Sequence, residues 1–311
     1  MPELPEVTTT VNGLQRILPG LAIVDVWTDL SKNNPIKQFI GTVKDAKFFK
    51  KFKKEIVNSK ILNVERRAKN ILINISGNNT ILIHLKMTGH IIYGKYVYNK
   101  KNNTWAPDIN EREALHDPYN RFVHVVFTLS NGKQFVLCDT RKFGKVTMLP
   151  TDVIHTSVHL HGIGPEPLEN EFSFDKFKDR LLFTKSSQNK NIKTVLMDQS
   201  LIAGIGNIYS DEMLWSSGIH PESKPITVPN KELKLLFKSM KDVLMKGIDF
   251  GGDSMSDYRD IDGKRGDFQN HHNVYRRLKE KCIKKGCIGT IKRKVIADRS
   301  AHFCDVHQKL F

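Results

Sequence analysis

The apolar pattern of this chain changes period once, across residues 149–168, and that change excludes a single repeating architecture. Before it lie short runs rich in Ile, Val and Leu: Ile23–Thr28, 61–65, Asn70–Ile75, 80–85, Val123–Leu129 and Gln134–Cys138. Turn-forming groups such as Ser76-Gly77-Asn78-Asn79 and Ser130-Asn131-Gly132 separate them, so they are predicted strands. Asn131-Gly132 between two such runs predicts a hairpin. Two helices are predicted among these strands, over 6–17 and over 44–57. In the second, Phe48, Phe52 and Ile56 recur every four residues and the lysines form a solvated face. The changeover carries Pro150, Pro165 and Pro167 with Gly162 and Gly164, the composition of a linker. Beyond it the period is helical. Phe174, Phe177 and Leu181 share one face, and 193–198, 208–216 and 230–247 read as further helices. At 311 residues there is chain enough for two modest domains. The expected organisation is α+β: a strand-rich domain over 1–150, a linker over 151–168, a helical domain over 169–270 and a small metal-held hairpin over 271–311.

Charge narrows the partner. Forty-nine Lys+Arg against 33 Asp+Glu give a formal +16. So large an excess predicts a polyanion, because each neutralised phosphate releases condensed counterions; a merely soluble basic surface is the plainer alternative. No run approaches the roughly 18 apolar residues of a membrane span. The opening residues carry two acids and two prolines, the reverse of a signal peptide, so a cytoplasmic, bacterial-type, nucleoid-associated protein is expected. Of four cysteines, Cys282, Cys287 and Cys304 fall within the last thirty residues, which in a reducing compartment reads as metal ligation. Cys138 lies in a predicted strand and reads as core.

The opening Met1-Pro2-Glu3-Leu4-Pro5-Glu6-Val7 carries chemistry of its own. With Met1 removed, Pro2 is an N-terminal secondary amine beside a carboxylate. A free α-amine titrates near about 7.7–8.0, so part of it is nucleophilic at neutral pH. Such an amine can attack an electrophilic sugar carbon and form an iminium, with Glu3 placed to move protons. The simpler reading is that these prolines and acids only start a helix.

This heptapeptide resembles the start of the formamidopyrimidine/endonuclease VIII family of DNA glycosylases, and the resemblance continues in order almost to the C-terminus. It implies that Pro2 forms the Schiff base, Glu3 is the general acid/base and Glu6 helps shape the active site. Arg66-Arg67-Ala68-Lys69 resembles the family loop whose lysine contacts the phosphate beside the lesion, which assigns that role to Lys69. His84-Leu85-Lys86-Met87-Thr88-Gly89 resembles the motif whose methionine, here Met87, fills the space left by a flipped base. Asp139-Thr140-Arg141-Lys142-Phe143-Gly144 resembles the companion wedge, with Arg141 on the orphaned base, Phe143 intercalated and Lys142 at the phosphates. Apolar insertion of this kind offsets part of the few kcal/mol needed to extrude a base. Residues 199–209 look like the family's helix-two-turn-helix element, with Asn207 binding phosphate. Lys193 matches a lysine contacting DNA near the lesion, and Glu212 a glutamate close to the catalytic proline. Read without the family, Met87 is core filling, Lys69 one lysine among many, and Gly204 and Gly206 a plain turn.

The metal motif departs from the family's four cysteines. Four residues separate Cys282 from Cys287, sixteen separate Cys287 from Cys304, and His307 stands where the last cysteine is expected. A Cys3His set lies within ordinary tetrahedral zinc chemistry, so one structural zinc ion is expected. Arg299 matches the finger arginine that contacts phosphate. Arg276 stands where the family has glycine, which puts the local loop geometry in question. The other histidines, among them His159 and His272, have no metal-like partner and read as surface or loop residues.

The resemblance implies an N-terminal β-sandwich domain with flanking helices, and a helical helix-two-turn-helix domain with a zinc-finger β-hairpin, with DNA bound between them. It implies a monomeric bifunctional glycosylase/AP lyase that binds double-stranded DNA carrying oxidised bases or abasic sites, with the Arg141/Phe143 wedge favouring oxidised purines. The alternatives are an endonuclease VIII-like enzyme for oxidised pyrimidines, a non-catalytic damaged-DNA binder, and a general zinc-finger protein. The loop expected to cover a flipped base lies within 251–268; its polar composition gives no base preference.

Overall fold

A computed structural model describes every residue except Lys185, Ser186, Gln188 and Asn189. The chain divides into two compact units, Met1–His161 with Phe250–Asp267, and Gly162–Asp249 with Phe268–Phe311.

In the first unit helix α1 (Leu4–Ile17) precedes strand β1 (Ile23–Thr28) and helix α2 (Ala46–Ile56). A meander follows: β2 (Ile61–Arg67), β3 (Asn70–Ile75) and β4 (Asn79–His84). After it come β5 (His90–Gly94), the hairpin β6 (Tyr96–Asn99) and β7 (Thr104–Pro107), β8 (Val123–Leu129), β9 (Gln134–Cys138) and β10 (Lys145–Pro150). Two four-stranded antiparallel sheets result, ordered β1-β8-β9-β5 and β10-β4-β3-β2. Their inner faces share one core. Val26, Phe127, Phe135 and Ile91 meet Ile71, Ile73, Ile81, Ile83 and Val146, with Val7 and Leu14 of α1 and Phe52 of α2 closing the ends. Phe127 and Phe135 stack at 4.3 Å. Fully burying one such side chain is worth about 1.5–3 kcal/mol, so the core dominates the unit's stability.

Four short strands are not among those expected, β5, β6, β7 and β10, and β10 ends at Pro150, just before the predicted linker. Pro150 ends β10 without penalty because β10 is an edge strand whose missing donor faces no partner.

Residues Phe250–Asp267, read from sequence as part of the helical domain, pack instead in the first unit. Ile261 enters the sandwich core, and its carbonyl accepts from Tyr93 N–H at 2.8 Å. A Cβ built on Gly13 of α1 would stand 2.7 Å from Ile261, so the close approach requires glycine there. Arg259, 3% exposed, pairs with Asp117 at 3.0 Å, and Arg112 pairs with Asp262 at 3.0 Å. The polar residues that left this segment without a legible period are its anchors.

The second unit holds helices α3 (Phe174–Leu182), α4 (Ile192–Met197), α5 (Asn207–Ser217) and α6 (Asn230–Asp249), then strands β11 (Lys292–Ile296) and β12 (Arg299–Phe303). Between α4 and α5 the side chain of Gln199 accepts from Gly204 N–H at 2.9 Å and donates to Ile205 O at 2.7 Å, spanning two turns. Gly204, at φ 82°, supplies a conformation that other residues resist. Ala297 and Asp298, at φ 45° and 60°, make the two-residue turn from β11 to β12. Arg276 adopts φ 59°, so the position where the family has glycine keeps a glycine-like backbone here with an arginine in it.

Three residues of α5 hold the C-terminal segment. Glu212 accepts four hydrogen bonds of 2.8–2.9 Å, from the backbone N–H of Asn273, Val274 and Tyr275 and the side chain of Asn273. Asp211 accepts from His302 N–H at 2.9 Å. Trp215 donates its indole N–H to Cys282 Sγ at 3.4 Å. His272, read as surface, is buried against the rings of Phe268 and Tyr275.

Candidate active site

The N-terminus is fixed before any function is assigned to it. Glu3 precedes α1 and donates its backbone N–H to Glu6 Oε2 at 2.7 Å, one arm of a capping box. The other oxygen of Glu6 accepts from Asp253 N–H at 2.7 Å, and its carbonyl accepts from Tyr258 Oη at 2.9 Å. Glu6 therefore ties the helix start to the Phe250–Asp267 segment. Pro2, Glu3 and Glu6 are all buried. Lys69 sits in the two-residue turn joining β2 to β3, where Ala68 takes φ 53°, and it too is buried.

Met1 lines a cavity of about 370 Å³ whose walls include Phe39, Lys86, Met87, Phe143 and Lys145. Met87, in the loop between β4 and β5, and Phe143, in the loop between β9 and β10, remain 38% and 42% exposed. Asp139 builds the Phe143 loop. One carboxylate oxygen accepts from Thr88 Oγ1 and from Arg141 N–H at 3.1 Å, and the other accepts from Gly144 N–H at 2.6 Å. The same residue thus joins the Met87 and Phe143 loops. The Arg141 guanidinium lies 4.7 Å from the Phe143 ring centroid. Both groups are exposed and project together.

His84, overlooked inside its motif, adds to the site. Its Nδ1 accepts from Lys86 N–H at 2.9 Å. Burial, then the charges of Lys86, Lys69 and Lys145, push its pKa down to about 3. A neutral histidine amid three lysines marks a strongly positive patch, which is what a phosphate backbone seeks. Lys145 also meets His159 Nδ1 at 3.1 Å. The signal available in sequence was only that His84 and Lys86 share a motif with Met87.

In the second unit the expected DNA-facing residues divide. Asn207 opens α5, and its Oδ1 is buried with no hydrogen-bond partner among the described residues. Arg299 follows the β11–β12 turn, exposed, and lines a cavity of about 230 Å³ with Lys193, Met197 and Asp198. The Lys193 ammonium itself is 1% exposed and is engaged by Asp211 at 2.5 Å and Ser210 at 3.1 Å. Glu212 is fully buried and serves the Asn273–Tyr275 backbone, as described above. In this structure Lys193 and Glu212 hold elements together inside the unit.

The sulfur atoms of Cys282, Cys287 and Cys304 all lie within 4.8 Å of one another. His307 is outside that group, with its Nε2 2.8 Å from Trp215 O. Three thiols suit a soft or borderline cation, and Gly289 N–H donates to Cys287 Sγ at 3.3 Å, as an N–H does to a ligating thiolate. A Cβ on Gly289 would stand 2.6 Å from Cys304 Sγ, so glycine leaves the cluster its room. The donor set fits zinc.

Comparison with known proteins agrees with this arrangement. Residues 1–146 match the model of the formamidopyrimidine-DNA glycosylase N-terminal domain, and residues 163–259 match that of its H2TH domain. The chain belongs to the formamidopyrimidine-DNA glycosylase family. The formamidopyrimidine-DNA glycosylase of Pelotomaculum thermopropionicum is 36% identical over the whole of both chains. The Lactococcus lactis enzyme, solved with DNA containing an abasic site, is 29% identical with a TM-score of 0.79 over 99% of each chain. The same enzyme with DNA containing N7-benzyl-Fapy-dG is 30% identical, TM-score 0.79, over 99% of this chain and 100% of that one. The family's N-terminal domain takes in Pro2, Glu3, Glu6, Lys69, Met87 and Phe143, and its H2TH domain takes in Lys193, Asn207 and Glu212. The cysteine cluster lies beyond both matches. No helix among the described residues is long and apolar enough to cross a membrane.

Proposed function

We propose that this protein is a bifunctional DNA glycosylase/AP lyase that removes oxidised purines from duplex DNA through the α-amine of Pro2. The observation that carries the reading is the cavity shared by Met1, Met87 and Phe143, which puts the start of the chain beside two exposed apolar wedges. Neither a binding module nor a plain zinc finger needs a proline–glutamate pair there.

While Met1 is attached, Pro2 nitrogen is a tertiary amide and has no lone pair to give. Once Met1 is removed, the free amine attacks C1′ of the flipped nucleotide, the glycosidic bond breaks and its electron pair leaves with the base. The ring-opened sugar is held as an iminium on Pro2, and Glu3 carries protons to and from it. Loss of a C2′ proton expels the 3′ phosphate; a second elimination expels the 5′ phosphate and leaves a one-nucleoside gap. Lys69, Lys86 and Lys145 supply the positive field that holds the flanking phosphates. Met87, Arg141 and Phe143 fill the vacated stack, with Lys142, Asn207 and Arg299 on the backbone. Cys282, Cys287 and Cys304, with His307 as fourth ligand, would hold a zinc ion, which when bound would supply fold to the finger that carries Arg299. Lys193 and Glu212 act as positioning residues, and the enzyme works as a monomer in the cytoplasm.

Borohydride trapping on duplexes containing 8-oxoguanine opposite cytosine, thymine glycol or an abasic site tests this. A covalent adduct mapping to Pro2 on the 8-oxoguanine duplex is expected. Trapping on thymine glycol alone moves the protein to oxidised pyrimidines. No adduct on any duplex, with Met1 absent by mass spectrometry, leaves a damage-binding protein. Glu3→Gln is expected to lose excision by about 10²–10⁴-fold while keeping duplex binding.

A further inference from the structure

Lys44 has no part in the scheme above, yet its placement is costly. It precedes α2 and is only 4% exposed. No carboxylate forms an ion pair with it among the described residues. A buried ammonium without such a partner is expensive unless its donors are used. Its Nζ donates to the carbonyl oxygen of Lys142 at 2.6 Å and lies 4.0 Å from the Phe39 ring centroid. Burial pushes its pKa down to about 8, with Asp139 opposing and Lys86 reinforcing that shift.

The carbonyl it engages belongs to a strained residue. Lys142 holds φ 58°, in the left-handed region, between Arg141 and Phe143. Asp139 secures the N–H side of this loop, taking Arg141 and Gly144 through its carboxylate and Lys142 N–H through its carbonyl at 3.2 Å. Lys44 secures the opposite side. The segment it comes from also contributes Phe39 and Thr42 to the cavity that Phe143 lines. The peptide plane before Lys142 is held by Asp139 and the plane after it, which leads into Phe143, by Lys44, so the directions of Arg141 and Phe143 are set before any duplex arrives.

We propose that Lys44 is a positioning residue that locks the Lys142 peptide and thereby aims the Arg141–Phe143 wedge at the duplex. The proposal rests on the reading of that wedge as the DNA-inserting element.

The test compares full-length wild type, Lys44→Met and Lys44→Arg, all with Met1 removed. Lys44→Met keeps the stem and deletes the charge, so thermal stability is expected to hold or rise, as when buried ions give way to apolar groups. Its kcat/KM on 8-oxoguanine opposite cytosine is expected to fall by at least about tenfold, since misplacement by an ångström can cost about a hundredfold. Lys44→Arg, which restores a donor, is expected to recover most of the rate. Binding to duplex carrying a tetrahydrofuran abasic analogue, with 2-aminopurine beside it to report unstacking, gives a readout that needs no chemistry. In a Phe143→Ala background, Lys44→Met is expected to cost nothing further in that assay. Wild-type rate and fluorescence in Lys44→Met, full additivity with Phe143→Ala, or failure of Lys44→Met to fold would each overturn the proposal. A wild-type protein that excises no base sinks the glycosylase reading instead, and the binding cycle still decides Lys44.

Discussion

Lys86 and Lys142 share one backbone conformation, φ 57° and 58°, and each immediately precedes the apolar residue, Met87 or Phe143, that its loop presents to the same cavity. Two left-handed lysines in corresponding places are not required by either turn, since glycine would serve at lower cost. What lysine adds is a cation beside each exposed apolar side chain.

Replacing Lys142 by glycine tests that exchange. Removing left-handed strain gains about 1–2 kcal/mol, less about 0.4–1 kcal/mol for the freer unfolded chain. The contact between Lys142 and Asp29, at 3.8 Å, is too exposed to offset this. Urea denaturation is expected to find Lys142→Gly at least as stable as its parent. Duplex affinity is expected to fall, with the slope of log K against log salt shallower by about 0.9. An unchanged slope would remove Lys142 from the phosphates.

Acid should destabilise the first unit through half-buried His84 and buried His90. Burial and the neighbouring lysines push His84 down to about 3 from an ordinary value near 6.5, and burial lowers His90 in the same direction. Between those values the unfolded chain binds protons that the folded one refuses. The stability present above pH 6.5 is therefore lost as pH falls toward 3, at up to about 1.4 kcal/mol per pH unit for each such group. Denaturation midpoints measured from pH 7 to 4 are expected to fall less steeply in His84→Asn; an equal slope would mean His84 does not carry the effect.

Glu212→Gln asks whether the α5 carboxylate is structural. Four N–H donors converge on it, and an amide offers one oxygen and turns an NH2 toward the rest. The expected loss is about 3 kcal/mol in unfolding of the second unit, because bonds to a charged group are worth about 1.5–3 kcal/mol and stranded donors add to that. An activity loss at unchanged stability would instead favour a role in the reaction.

The finger makes a prediction about one nitrogen. His307 Nε2 faces Trp215 O at 2.8 Å, so Nε2 carries the proton and Nδ1 keeps the lone pair for zinc. Nitrogen-15 spectra of zinc-loaded protein are expected to find Nδ1 metal-bound. Chelation is expected to weaken duplex binding while leaving most of the helical circular dichroism, since α3 to α6 pack on one another. Metal on Nε2 would contradict the geometry.

Much of this was legible in the sequence. The strands of the sandwich core announced themselves because alternate Ile and Val must face inward, and Asn131-Gly132 and Gly204 marked turns by backbone freedom alone. Met87 and Phe143 were singled out by motif, and both stand exposed at one cavity. Lys193 and Glu212 were found the same way, but sequence could not tell a surface cation from one buried on Asp211, because burial depends on what α5 packs against. Lys44 was unreadable: a lysine at the head of a lysine-rich helix looks solvated until its carbonyl partner, 98 residues away, is known. The Phe250–Asp267 segment failed for a related reason, its anchors being pairs such as Arg259–Asp117 that are distant in the chain.

That segment also has a consequence for biosynthesis. A ribosome has made α1, all ten strands of the first unit and the four helices of the second before Ile261 and Arg259 emerge. Until then the sandwich lacks a core side chain, and Glu6 lacks the Asp253 N–H that holds it. Although the sandwich is encoded first, the second unit's helices can be complete before it, an inversion of the usual order in which domains mature from the N-terminus. The nascent N-terminus is correspondingly slow to be locked in place, which leaves Met1 accessible for removal during the interval in which the protein is still being made.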